Sequence, residues 1–131
     1  MRYILLMQGT PADWRRFASL PAQDLAAHVA FTRQLDRELV ASGELVSGLG
    51  LVGPLSAQLV QAQGAGAPLV SQGPFPAARA FVAGYWVVDC DSLERATEIA
   101  ARLSAAPGRA GRPLNLAVEL RPVMRAPGEE M

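Results

Sequence analysis

The chain has 131 residues with 12 basic and 12 acidic side chains, so its formal net charge is zero. A balanced charge gives no field that would attract nucleic acid or an acidic membrane surface, and neither is expected as a partner. The length fits one domain. We expect residues 1–124 to fold as a single domain and residues 125–131 to form a disordered tail.

The cysteine count and the N-terminal sequence bear on the compartment. One cysteine, Cys90, can form no disulfide within the chain and supplies no metal-ligand spacing. The first apolar run is far shorter than the roughly 20 residues of a membrane-spanning helix, and no signal-peptide cleavage site follows it. All 12 basic residues are Arg, a bias typical of GC-rich bacterial genomes. These features predict a bacterial, cytoplasmic protein without a metal site.

The first elements predicted are a strand and a short helix. Tyr3 to Met7 is a five-residue apolar run, apolar on both faces, and is typical of an interior strand. Thr10 then has the sequence context of an N-cap, with Asp13 placed to return the hydrogen bond. The short helix carries Trp14 and Phe17, which we expect to pack as a lid over the edge of the core. A ligand-facing role for the pair is the alternative.

A long helix is predicted from Gln23 to about Ser42, with Gly43 as its left-handed C-terminal residue. At 100° per residue, His28 lies on the apolar side of this helix, between Leu35 and Leu39, and is expected to point toward the sheet. It is the only histidine of the chain. The apolar stripe comprises Leu25, Val29, Thr32, Leu35, Leu39 and Val40.

The second half of the chain predicts more strands and one more helix. The predicted elements are a strand starting at 44–49, a hairpin of 55–63 and 68–71, a central strand over 81–90, a helix after 91 and a last strand over 114–120. Asp91 and Glu94 have the capping-box pattern that places the helix start at Asp91. Tyr85 and Trp86 are neighbours in the central strand, so they should point to opposite faces of the sheet.

The order strand, helix, strand, hairpin, strand, helix, strand predicts an α+β fold with the ferredoxin-like split β-α-β topology and both helices on one face. The other face is then left bare. Because the strands at 3–7 and 81–88 are apolar on both sides, we expect two sheets to stack face to face as a homodimer, forming a dimeric α/β barrel.

Five segments carry a resemblance to a known family: Arg-Tyr-Ile-Leu-Leu-Met at the start, His28, Ser-Gln-Gly-Pro-Phe at 71–75, Ala-Gly-Tyr-Trp-Val-Val-Asp at 83–89 and Val-Glu-Leu-Arg-Pro-Val at 118–123. Together they resemble the YCII-related proteins, and more narrowly the branch named after its Asp-Gly-Pro-Phe (DGPF) motif. The resemblance implies a dimeric ferredoxin-like fold, mostly unknown activities, and a pocket in which the helix histidine is the usual candidate. Some members are encoded beside extracytoplasmic-function sigma factors, which implies a role in stress signalling.

Two departures from that family pattern affect the expected chemistry. The Asp of the motif is Gln72 in this chain, and the Asp that would pair with the histidine is expected near residues 107–111, where no acid occurs. Asp89 or Asp91, at the end of a strand, is then the available acidic partner for His28.

The candidate site consists of His28 as acid/base or ligand-orienting group, with Asp89 as a weaker catalytic candidate. The alternative for His28 is a neutral core histidine bonded to a backbone carbonyl. The ligand-binding candidates are Gln72, Phe75, Tyr85 and Trp14.

Three functions remain open at this point. The first and favoured one is a dimer that binds or senses a small molecule without turnover. The second is a small cofactor-free enzyme of lyase, isomerase or oxygenase type that uses His28. The third is a protein-interaction module. No cofactor is expected, and haem is not favoured because a lone histidine in a short helix stripe gives no sign of room for a porphyrin.

Overall fold

A computed structural model describes residues 1–51, 53–72 and 80–125 of the chain. The elements are β1 (Arg2–Gly9), α1 (Pro11–Ala18), α2 (Ala22–Ala41), β2 (Leu45–Gly50), β3 (Gln58–Gln61), β4 (Leu69–Gln72), β5 (Phe81–Asp89), α3 (Leu93–Ser104) and β6 (Val118–Pro122), with short 3₁₀ turns at Pro54–Ser56 and Arg109–Gly111. The predicted order of strands and helices is confirmed. Within these ranges, no helix is long and apolar enough to cross a membrane.

Four strands form one antiparallel sheet in the order β2-β5-β1-β6, and β3 pairs with β4 as a separate two-stranded hairpin. This is the ferredoxin-like α+β arrangement that the sequence predicts. In the central pairing, Leu5 is opposite Trp86 and Leu6 is opposite Tyr85. Opposite residues of an antiparallel pair share a face, so Trp86 and Tyr85 belong to different sides of the sheet.

The two faces of the sheet differ in burial. Side chains from β1, β5, α2 and α3 form one core, whose largest fully buried members are Leu5, Leu35, Leu39, Val88, Ile99 and Leu103. On the other face, Ile4, Leu6, Tyr85 and Val87 are only half-buried, and none of the described helices contributes to a core there. We call these four residues the bare face. The predicted placement of both helices on one side of the sheet is confirmed.

Local capping explains where α1 begins and where α2 ends. Thr10 accepts a hydrogen bond from the backbone N–H of Asp13 at 3.2 Å, and the Asp13 carboxylate accepts from the Thr10 N–H at 2.9 Å. This reciprocal pair is the capping box predicted for α1, and its backbone hydrogen bond lowers the pKa of Asp13. Gly43 has φ +76°, as expected for the residue that ends α2.

Several predicted boundaries are wrong by one to four residues. The first arm of the hairpin, predicted from residue 55, begins at Gln58, because Pro54–Ser56 form a 3₁₀ turn. The N-cap of α3 is Ser92 and not Asp91, because the chain stays extended through Ser92 (φ −154°) and its hydroxyl accepts from the Arg95 N–H at 3.1 Å. The last strand begins at Val118 and not at 114, because Asn115 has a positive φ of 54° that interrupts an extended chain.

Ion pairs fasten the helices to each other and to the sheet. Arg95 donates two hydrogen bonds to the Glu44 carboxylate, at 2.8 and 2.9 Å, which joins the start of α3 to the turn before β2. Arg102 of α3 pairs with Glu38 of α2, which joins the two helices directly.

Candidate functional site

A cavity of about 290 Å³ lies between α1, the middle of α2 (residues 28–36) and one end of the four-stranded sheet. At that end β1 and β2 finish and β5 begins. Because α1 starts two residues after β1 ends, it lies against this edge of the sheet. The described residues of the wall include four aromatic side chains, Trp14, Phe17, Phe81 and Trp86. The cavity is therefore mainly apolar.

Glycines in and after β2 make room for the two indole rings of the cavity. A Cβ on Gly48 would stand 2.7 Å from Cδ1 of Trp86, and a Cβ on Gly53 would overlap the ring of Trp14. Real Cβ atoms do not approach so closely, so both positions require glycine for the rings to lie where they do. The two glycines therefore leave the space that the two tryptophan rings occupy.

His28 contributes a polar group to the cavity from α2. Its Nδ1 lies 3.1 Å from the backbone carbonyl of Pro107. A carbonyl only accepts hydrogen bonds, so we assign the proton of the neutral ring to Nδ1, which leaves Nε2 as an acceptor. The ring also contacts Phe17 edge-on, with centroids 5.0 Å apart and planes at 73°. Burial lowers the pKa of His28, although the Pro107 hydrogen bond partly opposes that shift.

Asp36 is a second polar group of the cavity, and it was not among the sequence candidates. It lies eight residues after His28 on α2, which places the two about 12 Å apart along the helix axis. Its Oδ1 accepts a hydrogen bond from Nε1 of Trp86 at 3.2 Å. Thr32 lies between His28 and Asp36 on the same face, and its hydroxyl donates to the carbonyl of Val29 at 3.0 Å.

The sequence contained a signal for Asp36 that the helical wheel makes visible. Counted from Leu25 at 100° per residue, Asp36 falls at about 20°, between Leu25 and Val29 and in the middle of the apolar stripe. An acidic residue at such a position is unusual, because a carboxylate that loses part of its hydration needs a hydrogen-bond partner, and Asp36 is half-buried. Its partner is the indole N–H of Trp86, which comes from β5 and could not be read from the helix alone.

The structure brings two of the predicted site residues together. Trp14 and His28 both line the cavity. Tyr85 does not lie with them, because it pairs with Leu6 on the bare face. Gln72 ends β4 in the separate hairpin, where it is exposed and not among the described lining residues. Phe75 and the rest of the 73–79 segment are outside the described residues.

Asp89 is placed away from His28. It ends β5, eight residues and therefore about 26 Å from Phe81 at the cavity end of the same strand. Its carboxylate lies 3.1 Å from the N-terminal ammonium group. Asp91 is exposed and follows Asp89. The acidic partner expected for His28 at this strand end is thus replaced by the Pro107 carbonyl.

The described residues offer no other centre for metal or thiol chemistry. Among them, no group of three His, Cys, Asp or Glu side chains lies close enough together to hold a metal ion. Cys90 is buried, and burial raises the pKa of its thiol. Because the thiolate is the reactive form, this cysteine is poorly suited to nucleophilic chemistry.

The sheet, the one-sided helices and the aromatic cavity define a small ferredoxin-like α+β protein with an internal pocket. The family model of the YCII-related domain matches residues 1–112, which is most of the chain. The protein belongs to the YCII-related family. A search of curated proteins found no match. The narrower resemblance to the branch with the Asp-Gly-Pro-Phe motif stays a prediction.

Proposed function

We propose that the protein binds a small, largely apolar molecule in the cavity, and that Nε2 of His28 accepts a hydrogen bond from it. One observation carries this proposal: four aromatic side chains line the cavity together with His28, whose ring is oriented by its hydrogen bond to the Pro107 carbonyl. Ligand sites in proteins typically pair an apolar lining with a few oriented polar groups. The volume of about 290 Å³ is near the lower end for such sites and suits a small ligand.

Intrinsic fluorescence offers a direct assay for occupancy. The chain has two tryptophans, Trp14 and Trp86, and both line the cavity. A ligand that enters should change their emission. We expect a screen of small aromatic fragments to yield compounds that shift this emission and that bind the His28→Leu variant about five- to tenfold more weakly, the loss expected for one hydrogen bond.

Arg33→Ala is the matched control, because Arg33 is exposed on the same helix and is not among the described lining residues. Its affinity for the same fragments should equal that of the wild type. A screen without any compound that changes the tryptophan emission would contradict the proposal. So would fragments whose affinity is the same in His28→Leu and in the wild type.

A second candidate function is a cofactor-free reaction with His28 as the acid/base. A neutral imidazole with a lowered pKa is the state that a general base requires. A carbonyl orients the ring in place of a carboxylate, which stabilises the protonated ring less and therefore favours binding over turnover. If NMR shows that a bound fragment is converted to product by the wild type but not by His28→Leu, that result would instead support an enzymatic function.

We also propose that the protein is a homodimer through the bare face. Half-buried Ile4, Leu6, Tyr85 and Val87 form a contiguous apolar surface on the central strands, and Leu49 beside Tyr85 is 62% exposed. Contiguous exposed apolar surface commonly marks an interface. The same surface could instead bind a different protein, as in a protein-interaction module. A role in stress signalling linked to sigma factors rests on the family resemblance alone. Sedimentation that gives twice the chain mass at micromolar concentration supports the homodimer, and a folded monomer argues against it.

A further inference from the structure

The charges that line the cavity are unbalanced among the described residues. Two carboxylates line it, those of Asp13 and Asp36. Asp13 is committed to the capping box of α1 and pairs with Arg16. Asp36 forms no ion pair with any described basic side chain, and its hydrogen-bond donor is the neutral indole of Trp86. One full negative charge therefore faces the cavity without a described counter-charge.

An indole N–H needs only one neutral acceptor, which an amide side chain would supply equally well. A carboxylate in this role retains a second oxygen and a full charge. An anionic ligand beside Asp36 would meet like-charge repulsion with no described cation to offset it, whereas a cation would gain a charge-assisted hydrogen bond. The cavity wall also holds aromatic rings, and a cation that reaches the face of one of them gains cation–π attraction.

We propose that the cavity selects a small molecule with a protonated amine, which binds Asp36 and Trp86 while the apolar body contacts Trp14 and Phe17. This inference rests on the proposed function, namely that the cavity binds small molecules at all. His28 lies about 12 Å from Asp36, toward the N-terminus of α2. A ligand long enough to reach it can donate a second hydrogen bond to Nε2, so the site distinguishes the two ends of its ligand.

Three matched probes test the charge preference: phenethylamine, 2-phenylethanol and phenylacetate. They share a benzyl group and differ in a positive, neutral or negative end. With the wild type we expect the amine to bind about tenfold more tightly than the alcohol, and the acid to bind most weakly. Tryptophan emission and calorimetry, at low salt and at 0.15 M, give the three affinities.

The Asp36→Asn variant removes the charge but retains an oxygen that accepts from the Trp86 N–H. The amine should lose its advantage over the alcohol, while the affinity for the alcohol stays unchanged. A simple structural role for Asp36 would leave the ranking of the probes as it is in the wild type. The inference is overturned if phenylacetate binds the wild type as well as phenethylamine does, or if the amine keeps its advantage in Asp36→Asn.

Failure of this inference can be told apart from failure of the proposed function. If the fragment screen yields neutral or anionic ligands that shift the tryptophan emission and lose affinity in His28→Leu, while phenethylamine does not bind, then the amine preference is wrong and the binding function stands. If the screen yields no ligand of any charge, the binding function itself fails. Should Asp36→Asn not fold, the wild-type ranking of the three probes decides the question alone.

Discussion

Replacing Gly48 with alanine tests whether the glycines of β2 hold the cavity open for Trp86. A Cβ at position 48 would lie 2.7 Å from Cδ1 of Trp86 and 3.2 Å from its Cγ and Nε1. Ordinary carbon contacts are about 3.5–4.0 Å, so the indole must move by roughly 1 Å. That shift would stretch the hydrogen bond from Trp86 to Asp36, which already measures 3.2 Å.

The cost of Gly48→Ala follows from these contacts. Overpacking typically costs about 1–3 kcal/mol, and the weakened hydrogen bond adds about 1 kcal/mol. Replacing a glycine also makes the unfolded chain less flexible, which offsets about 0.5 kcal/mol. We expect a net destabilisation of about 1.5–3.5 kcal/mol, or a fall in Tm of roughly 5–15 °C for a domain of this size.

Gly50→Ala is the matched control for this experiment. Gly50 lies two residues further along the same strand and also lines the cavity, but its Cβ would meet no described atom within 4 Å. The Gly50→Ala variant should be as stable as the wild type or slightly more stable, although the added methyl group narrows the cavity. Urea unfolding monitored by tryptophan fluorescence measures both variants. Equal free energies of unfolding for Gly48→Ala and Gly50→Ala would refute the reasoning.

Three further predictions concern pH and assembly. Hydrogen bonds from Arg95 lower the pKa of Glu44 to about 2, so this pair stabilises the fold above about pH 4.5 and the contribution is lost as the pH falls toward 2. After solvent screening we expect about 1–2 kcal/mol, absent in Glu44→Gln and measurable by urea unfolding across that range. The lowered pKa of His28 means that stability is complete above its unfolded value near 6.5 and falls as the pH drops through that value. The Tm of the wild type should therefore fall between pH 8 and pH 5, and this fall should be absent in His28→Leu. An unchanged fall in the variant would mean that a group other than His28 causes it. Tyr85→Arg on the bare face should yield a folded monomer in sedimentation, whereas a persistent dimer would place the interface elsewhere.

Two residues of the candidate cavity, His28 and Trp14, could be anticipated from α2 and α1 alone. The helical wheel placed His28 on the inner face, and the capping box fixed the start of the short helix that carries Trp14. Both predictions rest on periodicities and hydrogen bonds within a few residues, which the sequence encodes directly. Asp36 lies on the same side of the wheel, but its hydrogen-bond partner, Trp86, is 50 residues away and is not specified by the helix.

The partners of these residues depend on strand register and packing. The sequence left Asp89 and Tyr85 as neighbours of His28, but the antiparallel register places Asp89 at the far end of β5 and Tyr85 on the bare face. A shift of one residue in register would exchange the two faces, and no local pattern fixes that choice for a strand that is apolar on both sides.

By itself, the sequence of this protein determined the order of its elements and the class of its fold, because these follow from local periodicity, capping and turn residues. It determined the inner face of α2 only in part, since Leu35 and Leu39 are buried as predicted but Leu25 and Val40 are exposed. The tertiary structure alone decided which groups share the cavity. Pro107 orients His28 from 79 residues away, and Gly48 admits the Trp86 ring that binds Asp36. Such contacts arise from the packing of distant segments, where displacements of about 1 Å decide what fits, and the spacing of residues along the chain does not specify them.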